Sequence, residues 1–458
     1  MAEENMILKN KKVLIVGLGK SGEAALNLAL DQGAVVSVQD SKTEEQIDEA
    51  LMKKLRDARV RCWFAQAPKD MGVYDMLVLS PGVPVDLPFI LHAKAGGAEI
   101  IGELELAYRV GQGRYIGITG TNGKTTTTTL VGEICKAAGR ETYVVGNIGD
   151  PVINGARKCS DEGWMVTEIS SFQLETVDAF RPEVSAILNL TPDHLNRHKT
   201  MENYGAAKAR IFGRQSADQY CVVNFDDKLC FALTEKCPAT VVPFSRKEIL
   251  DFGAFVRDGQ IVIRDKDGEE KVICGAEELK IPGSHNLENA LAAAAISYFS
   301  GVDPEVIGQV CRSFAGVEHR IEPVAEVNGV RYVNDSKGTN PDAAIKAIEA
   351  MKENIILIAG GYDKASDFTE FVQAFDGRVK KLVLLGATAE NIRQTAEREG
   401  FTNTVICADM EECVAEAARE AVPGDVVLLS PACASWDMYK SFEQRGEHFK
   451  TCVRNLRP

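Results

Sequence analysis

Residues 114–130 constrain the fold of this 458-residue chain more than any other segment. Their sequence, RYIGITGTNGKTTTTTL, is typical of a β-branched strand, a glycine-containing loop and the start of a helix. Such a loop turns successive backbone N–H groups toward a phosphate, and the helix N-terminus adds partial positive charge. Lys124 would then neutralise the β/γ oxygens of a nucleoside triphosphate, and the Thr125 hydroxyl would hold Mg²⁺. The segment therefore predicts a triphosphate site.

The loop departs from the strict phosphate-loop pattern at one position. G-x-x-x-x-G-K-[ST] places glycine at 118, where this chain has Ile118, and the glycine of this chain is at 120. A surface turn that precedes Lys-Thr by chance is the alternative interpretation. The flanking strand and helix favour the phosphate site. Its predicted nucleotide contacts are Gly120, Thr121, Asn122, Gly123, Lys124, Thr125 and Thr126.

Composition limits the remaining possibilities. A content of 45% hydrophobic and 26% charged residues is ordinary for a globular enzyme, and no stretch reaches the ~18 apolar residues of a membrane span. The twelve cysteines include no C-x-x-C pair, so neither a zinc site nor a disulfide framework is indicated, and a reducing cytoplasm is expected. The net charge of −14 argues against a nucleic-acid partner. An anionic substrate would need locally concentrated lysine and arginine.

Three blocks are distinguishable along the chain. Residues 1–103 alternate short apolar runs with helical segments, a pattern that is typical of βαβ units and a parallel sheet. Residues 104–316 contain the phosphate loop, and residues 317–458 again alternate strands and helices. We therefore predict an α/β protein of three domains, Rossmann-like at the N-terminus, P-loop ATPase-like in the centre and Rossmann-like at the C-terminus.

A second glycine loop lies near the N-terminus. Residues 17–22 match G-x-G-x-x-G between a strand and a helix, and Asp40 ends the next strand, where a ribose-binding acid would lie. The match alone would favour a nicotinamide-dependent oxidoreductase. A UDP-linked diphosphate satisfies the same geometry, and a structural tight turn is the third possibility. The triphosphate site elsewhere in the chain favours the UDP-linked diphosphate, because few proteins use both NAD and a triphosphate.

Eight motifs extend this interpretation to the whole chain. They are GTNGKTT (120–126), TEISSFQLE (167–175), NLTPDHL (189–195), AAKARIF (206–212), PGSHNLENALAA (282–293), EHRIE (318–322), NDSKGTNPDA (334–343) and SPACASWDMYKSFEQRGEHF (430–449). In order and content they resemble the Mur ligase family of cytoplasmic peptidoglycan-precursor enzymes. The last two resemble the branch that adds D-glutamate to UDP-N-acetylmuramoyl-L-alanine.

The resemblance implies an ATP-dependent amide ligase that works through an acyl phosphate. Residues 1–103 would bind the UDP-linked substrate, 104–316 ATP and 317–458 the amino acid. The first motif alone would also fit a folylpolyglutamate synthase, although that branch does not need the N-terminal glycine loop for UDP. An NAD-dependent oxidoreductase is the alternative from another class. The expected protein is a cytoplasmic monomer with ATP and Mg²⁺ as cofactors and no nucleic-acid or membrane partner.

The resemblance also implies roles for residues of the central block. Glu168 would bind magnesium, with a solvated strand-end acid as the alternative, and His194 would be a second metal ligand rather than a structural histidine. Lys208 would carry a carbamate that holds a second magnesium, whereas without the resemblance it would be a solvated helix lysine. His198 is expected at the surface. The implied catalytic set is Lys124, Glu168, His194, Lys208 and Lys337, and the implied metal set is Thr125, Glu168, His194 and Lys208.

Further residues match the family's nucleotide and substrate positions. Implied nucleotide contacts are Asn286 and Asn289 to adenine, Arg320 to the polyphosphate, Asp335 to ribose and Lys337 to the transferred phosphate. Implied D-glutamate contacts are Thr339, Lys364, Ser435 and Phe442, with Lys364 facing the side-chain carboxylate. Implied contacts to the UDP-linked substrate are Lys20, Ser21, Ser41, Lys42 and Asn147, and the family often has Thr and Arg at 41 and 42. Ser170 and Gln173 would position substrate and nucleotide, but they, like Ser435, are also suited to helix capping.

Overall fold

The computed structural model describes residues 6–147, 149–362 and 366–456. It divides into two compact units, Met1–Glu278 with Glu288–Arg312, and Leu279–Leu287 with Ser313–Pro458. The first unit contains two sheets and the second contains one. Within the described residues, no helix is both long and apolar enough to cross a bilayer.

The first sheet is parallel and has the strand order β3-β2-β1-β4-β5. Its strands are β1 Lys12–Val16, β2 Val35–Asp40, β3 Arg61–Phe64, β4 Met76–Leu79 and β5 Glu99–Gly102. Its helices are α1 Lys20–Asp31, α2 Glu49–Asp57, α3 Pro88–Ala95 and α4 Glu103–Val110. All four residues of β4 are buried, as expected of a strand that is covered on both faces. The order contains the 3-2-1 half of a Rossmann sheet, extended beyond β1 by β4 and β5, which confirms the predicted N-terminal architecture.

The second sheet has the order β14-β13-β12-β11-β10-β9-β6-β8-β7. Its strands are β6 Arg114–Thr119, β7 Thr142–Gly146, β8 Trp164–Glu168, β9 Val184–Ile187, β10 Tyr220–Asn224, β11 Thr240–Ser245, β12 Gly253–Arg257, β13 Gln260–Arg264 and β14 Glu270–Gly275. The helices in this part of the sequence are α5 Lys124–Ala137, α6 Val152–Ala156, α7 Ser171–Leu174, α8 Leu195–His198, α9 Met201–Ala209 and α10 Lys228–Ala232, followed by α11 Ser284–Phe299 and α12 Pro304–Ser313.

Strand β6 runs parallel to both of its neighbours, β8 and β9. Parallel neighbours end at the same edge of a sheet, so the segments after these three strands lie side by side. They are the loop 120–123, the segment after Glu168 and the segment 188–194.

Four threonines of α5 (Thr125–Thr128) are buried, which shows that packing outweighs the modest helix propensity of β-branched residues.

The sheet of the second unit has the order β15-β16-β20-β17-β18-β19, in which only the β15–β16 pair is antiparallel. Its strands are β15 Glu322–Val327, β16 Val330–Asn334, β17 Ile355–Ala359, β18 Val379–Leu384, β19 Thr404–Ile406 and β20 Val426–Leu429. Its helices are α13 Pro341–Ala350, α14 Thr369–Gln373, α15 Ala389–Arg398, α16 Met410–Glu420 and α17 Phe442–Arg454. Since Asn334 pairs with Leu429, the segments after β16 and β20 adjoin.

Candidate active site

The loop after β6 has the backbone of a phosphate-binding turn. Gly120 and Gly123 have φ values of +151° and +80°, and Gly123 is the residue that caps α5. A Cβ on Gly123 would lie 2.1 Å from Oδ1 of Asn289, so a side chain is excluded there by both conformation and space. Thr125 and Thr126 follow at the start of α5 and are buried. Ile118 lies within β6, and the absence of glycine at 118 therefore leaves the loop itself intact.

The segment after β9 holds this loop in place. The backbone N–H of Asn122 donates to Oδ1 of Asn189 at 2.8 Å, and the Asn189 amide donates back to the Asn122 carbonyl at 3.1 Å. The Thr121 hydroxyl donates to the Thr191 carbonyl at 3.0 Å and lies 3.3 Å from the hydroxyl of Tyr204. Asn189 and Tyr204 were not among the predicted site residues, although Asn189 belongs to the quoted motif NLTPDHL. Their bonds fix the loop before any ligand arrives.

Two lysine side chains converge on the loop. Nζ of Lys124 donates to the carbonyls of Gly120 and Thr121 at 2.9 and 2.7 Å. Nζ of Lys208 donates to the same Gly120 carbonyl at 2.8 Å and lies 4.4 Å from the centre of the Tyr204 ring. Lys208 is 1% exposed, so the interpretation as a solvated helix lysine is wrong. Burial, followed by the charge of Lys124, lowers the pKa of the Lys208 amine well below its usual range.

Glu168 ends β8 beside the loop and is 1% exposed, which excludes a solvated acid. Its Oε1 accepts a bond from the Asn147 side chain at 2.8 Å. Its Oε2 is buried and has no hydrogen-bond partner in the part of the chain that the structure describes. A buried carboxylate oxygen of this kind is costly unless a cation or donor completes it. It therefore fits the magnesium ligand that the resemblance implied.

His194 lies in the segment after β9, in a left-handed conformation with φ of +55°. Its Nε2 is 3.5 Å from Oδ2 of Asp193, and its ring meets that of Phe172 edge to face at 4.8 Å. One third of the side chain is exposed. The imidazole is thus oriented by a ring contact and still accessible, as a ligand to an incoming group needs to be.

The expectation of a surface His198 is wrong. Its side chain is buried, with Nε2 2.9 Å from the Ser171 hydroxyl and Nδ1 3.6 Å from Glu175. Its ring stacks on Phe172 at 5.5 Å, and burial lowers the pKa of the imidazole. The sequence around 198 is polar, and the partner hydroxyl is contributed by a residue that lies 27 positions earlier. No local pattern reports such a contact.

Ser170 and Gln173 form a capping box at the start of α7. The Ser170 hydroxyl accepts from the Gln173 backbone N–H at 3.2 Å, and the Gln173 side chain accepts from the Ser170 N–H at 2.9 Å. Ser170 and Gln173 therefore do cap a helix, which was the alternative to a binding role. Their predicted contacts to substrate and nucleotide stay predictions.

The N-terminal glycine loop has a different chemical lining. A Cβ on Gly22 would lie 1.8 Å from the Gly17 carbonyl, so glycine is required where α1 approaches the loop. Both carboxylate oxygens of Asp40 accept backbone bonds, from Leu18 at 2.6 Å and Lys42 at 2.9 Å. The acid therefore ties the two loops together. Of the four predicted contacts in this block, Lys20 and Ser21 begin α1, and Ser41 and Lys42 follow β2. Ser21 is half-buried, and the other three are exposed.

In the second unit, Asp335 follows β16 and is buried. Its Oδ1 accepts from the Ile321 N–H at 3.2 Å, and its Oδ2 accepts from the Ser430 hydroxyl at 2.7 Å. Burial raises the pKa of the Asp335 carboxyl to about 6, while the charge of Arg320 acts in the opposite direction. Arg320 is half-buried, not a surface residue, and its Nε has no hydrogen-bond partner among the described residues.

Three of the predicted D-glutamate residues, Thr339, Ser435 and Phe442, lie on the adjoining segments after β16 and β20. Nζ of Lys337 lies 5.0 Å from the centre of the Phe442 ring, and Phe442 begins α17. Thr339 is half-buried between Lys337 and Asn340. The Asn340 side chain, directly before Pro341, caps α13 by accepting from the Ala343 N–H at 2.8 Å.

Arg445 joins these two segments and was not predicted. It is buried, and its Nε and Nη2 donate to the hydroxyl and carbonyl of Ser336 at 3.0 and 2.8 Å. It also donates to the carbonyls of Cys433 and Ala434 at 3.1 and 3.2 Å. Ser435, the next residue, is buried. Its backbone carbonyl accepts hydrogen bonds from the N–H groups of Met438 and Tyr439. The helix that follows, α17, is capped by Ser441 and not by Ser435. The capping alternative for Ser435 is thus wrong.

Three predicted residues remain. Asn286 is buried, and its amide donates to the Pro282 carbonyl at 2.7 Å. Asn289 is buried, and its Oδ1 accepts from the Thr127 hydroxyl at 3.4 Å, beside Gly123. Lys364 lies outside the described residues.

The central sheet and its loop define an α/β protein of the phosphate-loop class, with two lysines and a buried acid around the loop. Comparisons with known proteins specify the class. Family models match residues 11–102 (Mur ligase MurD-like, N-terminal domain), 118–297 (Mur ligase middle domain) and 319–433 (Mur ligase, glutamate ligase domain). The chain belongs to the Mur ligase family and has its three-domain α/β fold.

Curated relatives and solved structures agree with this assignment. The chain is 52% identical to a UDP-N-acetylmuramoylalanine–D-glutamate ligase of Alkaliphilus oremlandii over 99% of this chain and 100% of that protein. It is 51% identical to the ligase of the same name from Clostridioides difficile. The UDP-N-acetylmuramate–alanine ligase of Thermotoga maritima superimposes with a TM-score of 0.60 at 20% identity, over 97% of this chain and 99% of that one. These findings decide against the oxidoreductase and the folylpolyglutamate synthase.

Proposed function

We propose that this chain is an ATP-dependent carboxylate–amine ligase that adds D-glutamate to UDP-N-acetylmuramoyl-L-alanine in peptidoglycan precursor synthesis. One observation carries the proposal: relatives named for this reaction match the chain over its whole length at about half identity, 52% in one case. The reaction has two steps. The substrate carboxylate attacks the γ-phosphorus of ATP to give an acyl phosphate and ADP. The amine of D-glutamate, after losing a proton, then attacks the acyl carbon and releases phosphate.

The phosphate loop supports the first step. Carboxylate attack on a triphosphate brings anions together, so the protein's contribution is positioning and positive charge. The loop offers backbone N–H groups at the N-terminus of α5, and Lys124 supplies the ammonium. Lys124 has only to swing from the carbonyls of Gly120 and Thr121 to the β/γ oxygens. Because the loop is already held by Asn189, little ordering is needed when ATP binds.

The residues present fit a magnesium ion. Glu168 provides a buried oxygen without a hydrogen-bond partner among the described residues, and Thr125 provides a hydroxyl at the start of α5. We propose that Thr125, Glu168, His194 and a carbamate on Lys208 hold magnesium. Bound magnesium would neutralise phosphate oxygens as charge moves between them. The neutral amine that carbamylation requires is favoured by the burial of Lys208.

The remaining roles follow from the family match. Asn286 and Asn289 would contact adenine, Arg320 the polyphosphate, Asp335 the ribose and Lys337 the transferred phosphate. For D-glutamate the proposed contacts are Thr339, Lys364, Ser435 and Phe442. For the UDP-linked substrate they are Lys20, Ser21, Ser41, Lys42 and Asn147. Ser170 and Gln173 would position substrate and nucleotide. Arg445 acts on the D-glutamate contacts indirectly, because its four hydrogen bonds hold Ser336 against the segment that carries Ser435.

We also propose the domain boundaries 1–103, 104–316 and 317–458, and a cytoplasmic monomer without nucleic-acid or membrane partners. The matched family models, at 11–102, 118–297 and 319–433, support these boundaries. Size-exclusion chromatography with light scattering measures the oligomeric state directly. A dimer mass at micromolar concentration would contradict the monomer.

A phosphate-release assay tests the activity. Purified protein should release phosphate only when ATP, UDP-N-acetylmuramoyl-L-alanine and D-glutamate are all present. L-glutamate, L-alanine and meso-diaminopimelate should not replace D-glutamate, and absorbance at a nicotinamide wavelength should stay constant. Faster turnover with meso-diaminopimelate than with D-glutamate would contradict the proposed specificity.

Lys364→Ala tests the amino-acid contacts separately. The change should raise KM for D-glutamate far more than KM for ATP, because it removes the counter-charge of the side-chain carboxylate. A lost charged hydrogen bond costs about 1.5–3 kcal/mol, which corresponds to roughly a ten- to hundredfold change. Lys380→Ala is a suitable control, because that lysine is paired with Asp425 at 2.6 Å. Equal effects of Lys364→Ala on both KM values would assign Lys364 a structural role.

A further inference from the structure

Helices α16 and α17 pack against each other and bring together three side chains that the proposed reaction does not use. Glu411 lies in the first turn of α16, and His448 and Cys452 lie four residues apart on α17. A spacing of four residues places both on one face of a helix. One ligand atom from each of the three residues lies within 4.8 Å of the other two. From this arrangement we propose that Glu411, His448 and Cys452 bind a thiophilic divalent cation of the zinc class.

The donor set selects the kind of metal. A thiolate sulfur, an imidazole nitrogen and one carboxylate oxygen are ligands that zinc accepts, whereas magnesium and calcium prefer all-oxygen sites. Tetrahedral zinc with bonds of about 2.0–2.3 Å separates its ligand atoms by roughly 3.4–3.6 Å. Nε2 of His448 and Oε1 of Glu411 are now 2.8 Å apart. Glu411 therefore has to withdraw by roughly half an ångström to admit the ion, and its side chain is 63% exposed and able to move. Water fills the fourth position.

The histidine is held in the orientation that a ligand needs. Its Nδ1 lies 3.0 Å from the Tyr439 hydroxyl, and the two rings meet edge to face at 5.8 Å. When Nε2 binds the metal, Nδ1 carries the proton and donates a hydrogen bond to the Tyr439 oxygen. A partner on the second ring nitrogen is the usual support of a metal-bound histidine. Tyr439 thus fixes both the tautomer and the direction of the ring.

Metal binding changes the protonation of the site in a defined way. The Cys452 thiol loses one proton to solvent as its sulfur bonds to the cation, and the other two ligands bind without a net proton change when the imidazole is neutral. Burial and the charges of Glu411 and Asp409 raise the pKa of the Cys452 thiol to about 11.

A second cluster in the same unit is a useful contrast. Glu318, His319 and Glu447 also bring potential ligand atoms together. The ammonium of Lys450, however, lies 2.5 and 2.6 Å from Glu318 and Glu447. That cluster already contains its cation. In the proposed site the basic group beside Glu411 is His448, and no lysine has to be displaced because the imidazole itself would bind the metal.

Cobalt(II) is the probe that tests the proposal. Full-length protein is treated with a chelator and dialysed. It is then titrated with CoCl₂ under anaerobic conditions, in buffer that contains a phosphine reductant. A thiolate–cobalt charge-transfer band should appear in the near ultraviolet, saturate at one equivalent and disappear when ZnCl₂ is added. Cobalt at the oxygen and nitrogen ligands of the proposed magnesium site produces no such band. Failure of the band to appear overturns the proposal.

Variants assign the band to these residues. Cys452→Ser should abolish it, while Glu411→Gln, a change at an exposed side chain, should weaken zinc binding at least tenfold in a chelator competition. Cys62→Ser is the matched control, because Cys62 is a half-buried thiol whose pKa is likewise raised by burial and a glutamate. The metal-free melting temperature checks that each variant folds. A band that persists in Cys452→Ser, or zinc affinity unchanged in Glu411→Gln, overturns the assignment.

Discussion

The first unit contains two glycine loops built on the same plan, and they differ in charge. The loops 17–22 and 120–125 both connect a parallel strand to the first turn of a helix. Each depends on a glycine with positive φ, +84° at Gly17 and +80° at Gly123. Each also has a glycine whose replacement would collide with neighbouring atoms. Backbone geometry alone therefore does not distinguish their functions.

The side chains around the loops do distinguish them. Beside the first loop, Lys20 is exposed and the Asp40 carboxylate is occupied by two backbone N–H groups. Beside the second, Lys124 and Lys208 share the Gly120 carbonyl, and Glu168 keeps a buried oxygen without a hydrogen-bond partner among the described residues. We infer that the first loop holds a phosphate group and the second transfers one. A G-x-G-x-x-G match thus indicates a binding geometry, whereas buried charge indicates chemistry.

The largest expected difference is between lysines at matching positions of the two loops. Lys124→Ala should lower kcat by about 10²–10³-fold or more, because it removes a preorganised charge from a water-poor site. Lys20→Ala should leave kcat within about threefold and raise only KM for the UDP-linked substrate, since exposed charges contribute at most about 1 kcal/mol. Phosphate release under saturating substrates measures both. Similar losses of kcat in the two variants would remove the distinction between the loops.

Lys208→Ala should have the next largest effect, a loss of about 10²-fold, as expected for removal of one stabilising group. Added formate should restore part of the activity by occupying the place of the carbamate. Lys136→Ala, at a half-exposed lysine of α5, is the control. Full activity of Lys208→Ala, or no difference between bicarbonate-rich and bicarbonate-free buffer for the wild type, would contradict a functional carbamate.

The burial of Lys208 predicts how the stability and activity of the wild type depend on pH. Its folded-state pKa is lowered, so the unfolded chain binds more protons than the folded one between the two pKa values. Stability should therefore rise with pH through that window. Activity should also rise, because the amine must be neutral to accept CO₂. Denaturant titrations from pH 6 to 9 should show a smaller pH dependence in Lys208→Met than in the wild type.

A smaller effect is expected from the bonds that hold each loop. Asn189→Ala removes two hydrogen bonds to the Asn122 backbone, at a cost of about 1–3 kcal/mol. KM for ATP should rise roughly tenfold, and KM for the UDP-linked substrate should stay constant. Asp40→Asn should have the converse effect. Steady-state kinetics with each substrate varied in turn separates the two. Coupled increases in both variants would show that the loops are not independent.

The sequence predicts local features of this molecule well and distant contacts poorly. The strand, the turn and the start of the helix at 114–130 depend on neighbouring residues, and all three are confirmed. Asn189 and Arg445 were missed because their partners, Asn122 and Ser336, are 67 and 109 residues away. Polar residues that hold backbone in place leave no periodic pattern. For the same reason the sequence did not reveal that Lys208 is buried, and only the family resemblance singled it out.

The smallest expected effect concerns the segment after β2, which Asp40 ties to the first loop. Lys42 stands where the family often has arginine, and its side chain is exposed. Lys42→Arg should lower KM for the UDP-linked substrate by about two- to fivefold, since one added planar contact at an exposed site contributes up to about 1 kcal/mol. Lys53→Arg, at an exposed position of α2, is the control and should change nothing. An unchanged KM in Lys42→Arg would mean that backbone groups, not this side chain, bind the uridine diphosphate. The first loop would then depend on its glycines alone, which would make the contrast with the lysine-rich second loop sharper still.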